Sequence, residues 1–206
     1  MENVIGFVGY ECEDIVLYLA KILSYFGKKI AVIDRTEQEL LLETLELQDE
    51  RVNTEREGQF FGIWISNQGT GKEEYDFIFY LFGYRLTHPK LYECGRLVMV
   101  TDGVPAHAAL LKKVGEWDRK QYLVIRNLVP MKHSGQYLAL LAENKQEYCE
   151  IPYSEKDLRM KYCLGAYDGG SIKRLSEEMK DALVTLLLFI SPDYPERLVR
   201  NVMRKL

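Results

Sequence analysis

The chain has 206 residues, of which 47% are hydrophobic and 28% charged, enough apolar material for one domain with a proper core. Acids outnumber bases 31 to 27 and the formal charge is −4, so composition gives no general case for nucleic-acid binding. The four cysteines, Cys12, Cys94, Cys149 and Cys163, are widely spaced with no C-x-x-C pair, which argues against a zinc site and for reduced cytosolic thiols. The first residues carry no basic region and their apolar run is broken by acids, so neither a signal peptide nor a spanning helix is expected.

The first 34 residues read as a βαβ unit. A strand, Asn3 to Gly9, leads through the polar turn Tyr10-Glu11-Cys12-Glu13-Asp14 into a helix with Ile15, Leu19, Ile22, Leu23 and Phe26 at helical spacing. Gly27 punctuates it before a second strand, Lys29 to Asp34. Residues 36–47 suggest a short amphipathic helix, 48–57 a charged connection, and 59–65 one strand. Tyr75 to Gly83 is apolar almost throughout, as a strand covered on both faces should be. Further strands are expected over 96–101, 121–129 and 148–152, the last at an edge, with helices over 104–115, 135–143, 154–163 and 171–190. Alternating strands and helices predict an α/β fold, a mostly parallel twisted sheet with helices on both faces, over residues 1–191.

Residues 192–206 form a separate amphipathic basic helix in this reading. Leu198, Val199, Val202, Met203 and Leu206 share one face, and Arg197, Arg200, Arg204 and Lys205 the rest. Such a helix is either a reversible membrane or partner tail or an element packed on the domain. His88, His107 and His133 have no partner at ligand spacing, and no metal site is expected.

The order of these pieces resembles the MinD/ParA group of deviant P-loop ATPases, from residue 3 to about residue 190. Val4-Ile5-Gly6-Phe7-Val8 resembles their first strand, and Leu17 to Leu23 followed by Gly27 to Asp34 their first helix and second strand. Tyr75-Asp76-Phe77-Ile78-Phe79 is similar to the strand bearing their Walker B carboxylate. Leu123 to Asn127 is similar to the strand delivering their base-reading Asn, and Ile151-Pro152-Tyr153 to their late Ile-Pro segment.

The departures fall where the chemistry would be. The family's phosphate loop, Lys-Gly-Gly-x-Gly-Lys-Thr-Thr, is replaced by Gly9-Tyr10-Glu11-Cys12-Glu13-Asp14, shorter and without lysine. Phosphate binding at a helix start needs free N–H groups, glycine and positive charge, and three carboxylates there repel a triphosphate. They are read as a capping device rather than a Mg²⁺ site. The second strand ends Asp34-Arg35-Thr36 instead of Asp-x-Asp, and the expected Walker B position falls on Leu81. Gly69-Thr70-Gly71-Lys72 is a decoy, a connection between strands.

The resemblance thus implies a catalytically silent relative with no cofactor, a protein-interaction or localisation scaffold, plausible as a homodimer. It is similar in this to TadZ-type proteins of pilus assembly, and a place at the inner face of the membrane follows as an expectation. The degenerate site comprises Gly9, Tyr10, Glu11, Glu13, Asp14, Asp34, Arg35 and Asn127. Two alternatives stay open. One is a nucleotide or small-ligand sensor that binds without hydrolysis, its nucleotide being ATP or ADP with Mg²⁺, and with Arg35 or Arg126 replacing the lysine; the other is an ATPase with an unusual site.

Overall fold

The computed structural model describes residues 3–39, 41–43, 57–70, 74–115, 119–129, 135–143, 147–164 and 171–206. Its sheet contains β1 (Val4–Gly9), β2 (Ile30–Asp34), β3 (Glu57–Phe60), β4 (Ile63–Ser66), β5 (Phe77–Gly83), β6 (Arg96–Thr101), β7 (Lys120–Leu128) and β8 (Tyr148–Pro152). They lie in the order β3-β4-β2-β5-β1-β6-β7-β8, parallel except for the antiparallel pair β3 and β4. The helices are α1 (Glu13–Tyr25), α2 (Pro105–Leu110), α3 (Lys112–Gly115), α4 (Gly135–Leu141), α5 (Glu155–Cys163), α6 (Glu177–Ile190) and α7 (Glu196–Met203).

The strand periodicity of two divides the core. In β5, Phe77, Phe79 and Leu81 face a core shared with α1, α6 and α7, while Tyr80 and Phe82 face a second one with α2, α3 and α4. Both faces are covered, so the central strands are apolar throughout, as their sequences demand. The chain is an α/β protein, and the carboxyl ends of β2, β5, β1, β6 and β7 gather along one edge, where ligands bind in open α/β sheets.

Two boundaries differ from the sequence reading. The single strand expected over 59–65 is a hairpin: Phe61 (φ +51°) and Gly62 (φ +77°) form its two-residue turn between β3 and β4. Positive φ at both central residues matches the twist of the flanking strands, which is why so short a loop closes here. The long helix expected from 171 begins instead at Glu177; Ile172–Arg174 is one 3₁₀ turn. Ser176 is the cap, its hydroxyl accepting from the Met179 amide at 3.1 Å, and Asp157 of α5 holds Ser176 in place through bonds of 2.7 and 2.6 Å. The helix expected over 104–115 is divided into α2 and α3. Of the helix expected over 36–47, residues 41–43 are helical, with Leu41 and Leu42 buried, and residues 40 and 44–47 lie outside the described residues.

The C-terminal segment is part of the domain. Val199, Val202 and Met203 of α7 are buried in the core that α1 and α6 share. Arg200 bonds Asp181 of α6 at 2.5 Å and Glu196 at 2.8 Å, and Ser171 donates to the Leu206 carbonyl at 3.1 Å. Leu198, placed on the buried face by spacing, is exposed, as is Arg204, and Leu206 is half-buried. Among the described residues, no helix is long and apolar enough to cross a membrane.

Candidate functional site

At the carboxyl end of β1 the chain turns sharply into α1. Gly9 has φ +108°, and a Cβ there would stand 2.0 Å from the Val100 carbonyl oxygen, so only glycine allows β1 to approach β6 this closely. Tyr10 follows, its amide donating to that same oxygen at 2.8 Å and its ring stacked on His107 at 5.1 Å. Glu11 has φ +44°, in the left-handed region, which reverses the chain and turns its carbonyl inward.

Arg126, from β7, fills the space behind this turn. β7 is two strands from β1, about 10 Å at ordinary strand spacing, a distance an arginine spans. Its guanidinium makes a two-pronged pair with Asp14, Nη1 to Oδ1 and Nη2 to Oδ2, both 2.7 Å, and Nη1 also donates to the Glu11 carbonyl. The two side chains are 4% and 1% exposed, so this is an interior ion pair. Burial alone would raise the Asp14 pKa, but the Arg126 charge and hydrogen bonds outweigh it and hold Asp14 below the ordinary carboxylate range. For Arg126 burial works against the charge and Asp14 more than restores it.

The other carboxylates go elsewhere. Glu11 pairs with Lys161 of α5 at 2.5 Å. Glu13 is raised by burial, and the neighbouring Cys12 thiol is raised well above its ordinary value for the same reason, which keeps it protonated and unreactive. The three acids therefore do not converge on one point, and among the described residues no group of three or more His, Cys, Asp or Glu side chains could hold a metal ion. Two of them take backbone amides of the first helical turn, Glu13 its own and Asp14, while serving Arg126, that of Ile15 at 2.9 Å. Cys12 stands at the cap itself with no side-chain bond.

Asp34, 1% exposed, ends β2 by organising the turn after it. It accepts from the Thr36 amide at 2.9 Å, the Thr36 hydroxyl at 2.6 Å and the Leu41 amide at 3.1 Å. Burial raises its pKa, and these bonds oppose the rise. Thr36, which stands where the resembling family has a carboxylate, is thus the partner of the retained one. Arg35 points away, its guanidinium on the backbone carbonyls of Asn67 and Gln68. Asn127 is exposed with φ +55°, at the irregularity where the β7–β8 register slips.

Gly9, Tyr10, Glu11, Glu13 and Asp14 thus form one locus, closed by Arg126. Asp34 and Arg35 belong to the β2 edge, and Asn127 to a bulge. The sequence reading missed Lys161, and also Asp102, which accepts from the Val104 amide at 3.0 Å and meets His107 Nδ1 at 2.9 Å. The one available signal was Arg126 itself, a charge inside an apolar strand.

No family model matches the sequence, and neither does any curated protein. Solved structures do. A plasmid partition protein from Borrelia burgdorferi B31 bound to AMPPNP matches with TM-score 0.60 and 11% identity over 98% of both chains. MinD in the MinC:MinD cell division complex of Aquifex aeolicus matches at 0.59 and 12% over 92% of this chain and 95% of that one. A ParA family ATPase from Chlorobium tepidum TLS matches at 0.55 and 12% over 98% and 96%. The eight strands, their order of connection and this coverage lead to one conclusion: the chain has the ParA/MinD-type P-loop NTPase fold.

Proposed function

We propose that the chain is a ParA/MinD-like domain that has given up ATP hydrolysis and serves as a protein-interaction or localisation scaffold. The observation that carries this reading is the closed start of α1, where Arg126 is neutralised by Asp14 and the Glu11 carbonyl, and Asp14 also occupies the Ile15 amide. A Mg²⁺-triphosphate needs free amides, glycine and a cation at such a helix start. At the loop 9–14 the glycine closes onto Val100, the Val100 carbonyl takes the Tyr10 amide, and the cation beneath the loop, Arg126, is internally paired. Asp34, the one retained acid, is committed to Thr36 and Leu41. The residues present do not fit the group, and no hydrolytic step is routed through them.

A scaffold role takes its support from the matched MinD, which is in complex with MinC. By analogy this chain works by docking other proteins, as a monomer or homodimer, on envelope or secretion machinery at the inner face of the membrane. In this reading α7 is a packing element, because a bilayer would have to draw Val199, Val202 and Met203 out of the core. Calorimetric titration with ATP and ADP, with and without Mg²⁺, together with steady-state ATPase assays, tests the proposal. The expected result is no turnover above background and no Mg²⁺-dependent saturable heat; turnover that disappears in Asp34→Ala would overturn it.

A further inference from the structure

A second cluster of charge lies on the β2 side of β5, and the reading above does not use it. Arg35 follows β2 and Arg85 follows β5; the strands are adjacent and parallel, so both residues leave the same carboxyl edge. They are joined directly, Arg85 Nη1 donating to the Arg35 carbonyl at 3.0 Å. Arg35 in turn donates to the carbonyls of Asn67 and Gln68, while its Nε is buried without a partner. Every acceptor of these two guanidinium groups is a neutral carbonyl. Among the described residues neither arginine has a carboxylate within ion-pair distance, unlike Arg126 and Arg200.

Two further nitrogen groups belong to the same cluster. The His88 ring packs on Phe82 at 5.3 Å, and Phe82 stacks on Tyr80 at 5.7 Å, so an aromatic floor supports it. His88 Nδ1 accepts from the Lys90 amide at 3.1 Å, which leaves Nε2 as its remaining hydrogen-bonding atom. Lys90 carries the cluster's paired charge, on Glu93 at 2.8 Å, and Glu39 accepts from the Asn67 side-chain amide at 3.0 Å. The His88 pKa is held below its ordinary value, first by burial and then by the cations of Arg85, Arg35 and Lys90. The nearby cations thus add to burial in disfavouring the charged form of His88.

We propose that Arg35, Arg85, His88 and Lys90 form a binding site for a small phosphate- or diphosphate-bearing anion at the carboxyl edge of β2 and β5. The Arg85 guanidinium, held by one nitrogen on the Arg35 carbonyl, has further N–H groups for phosphoryl oxygens, Arg35 adds charge behind it, and several separate cations favour a diphosphate over a single phosphate. The site is distinct from the α1 start. β5 stands between β2 and β1, and Tyr80 and Phe82 belong to the face opposite α1.

The test is calorimetric titration of the full chain with sodium pyrophosphate and with inorganic phosphate, at fixed ionic strength, for the native protein and for Arg85→Gln, Arg85→Lys, Lys90→Gln and Glu11→Gln. Circular dichroism melts check that each variant is folded. Saturable binding is expected, tighter for pyrophosphate, weakened about tenfold or more by Arg85→Gln. Arg85→Lys should retain part of the affinity, and Glu11→Gln should leave it unchanged. An NMR titration of His88 gives a second readout: its midpoint should rise when pyrophosphate is present, because the anion offsets the neighbouring cations. Absence of saturable pyrophosphate binding, undiminished binding in Arg85→Gln, or loss in Glu11→Gln but not in Arg85→Gln would overturn the proposal.

Discussion

Two arginines in this molecule grip carboxylates at similar distances in opposite surroundings. Arg126 holds Asp14 in the interior, while Arg200 of α7 holds Asp181 and Glu196 with its side chain 40% exposed. The distances are alike; the solvent is not. An exposed pair exchanges water for a partner at little net gain, whereas a buried pair has already lost its water and each member depends on the other. The first clamp therefore fixes the architecture of the α1 start, and the second only trims the seat of a helix that its apolar face already holds.

The largest expected effect is from Arg126→Met, which strands the Asp14 charge and should destabilise the fold by about 3–5 kcal/mol in urea unfolding. The double variant Asp14→Leu/Arg126→Met should recover most of that loss, and a failure to recover would mean that the pair does more than neutralise itself. Next comes Met203→Ala, which should cost about 2–4 kcal/mol by opening a cavity beneath α7. A cost near zero would show that the helix is only loosely seated.

Acid titration sharpens the contrast further. The Asp14 pKa is lowered on folding, so its contribution is fully present above the unfolded carboxylate value and disappears as the pH falls through the folded one. Asp34 is raised, so its contribution has the opposite sign: stability declines as pH rises between its unfolded and folded values. Stability against pH measured for the native chain and for Asp14→Asn should therefore differ in slope at the acid end, with the native chain the steeper. The smallest effect is from Arg200→Ala, less than about 1 kcal/mol and reduced further by salt.

Much of the fold was legible because the central strands are buried on both faces and therefore continuous in sequence. The run Phe77 to Phe82 could be little else. The β3–β4 hairpin was not legible, because its turn places Phe61, a bulky apolar residue, at positive φ, where sequence rules expect Asn, Asp or Gly. The start of α6 offered two serines. Glu177 and Glu178, which suit a first helical turn, pointed to Ser176 rather than Ser171. At the site, Gly9 and the acids stood out because they are local. The bond from Thr36 to Asp34 is also local and could have been read as a turn. The partnership of Asp14 with Arg126 has no local signature, because parallel strands bring together residues 112 positions apart.

That separation matters during synthesis. At roughly 5–20 residues per second, about 6 to 22 s pass between the appearance of Asp14 and of Arg126. For the earlier part of that interval β1 also lacks β5, and for longer still β6, its neighbours on both sides. The N-terminal βαβ unit thus leaves the ribosome with an acidic helix start and an unpaired central strand, and it is the seventh strand of the sheet that supplies the missing cation.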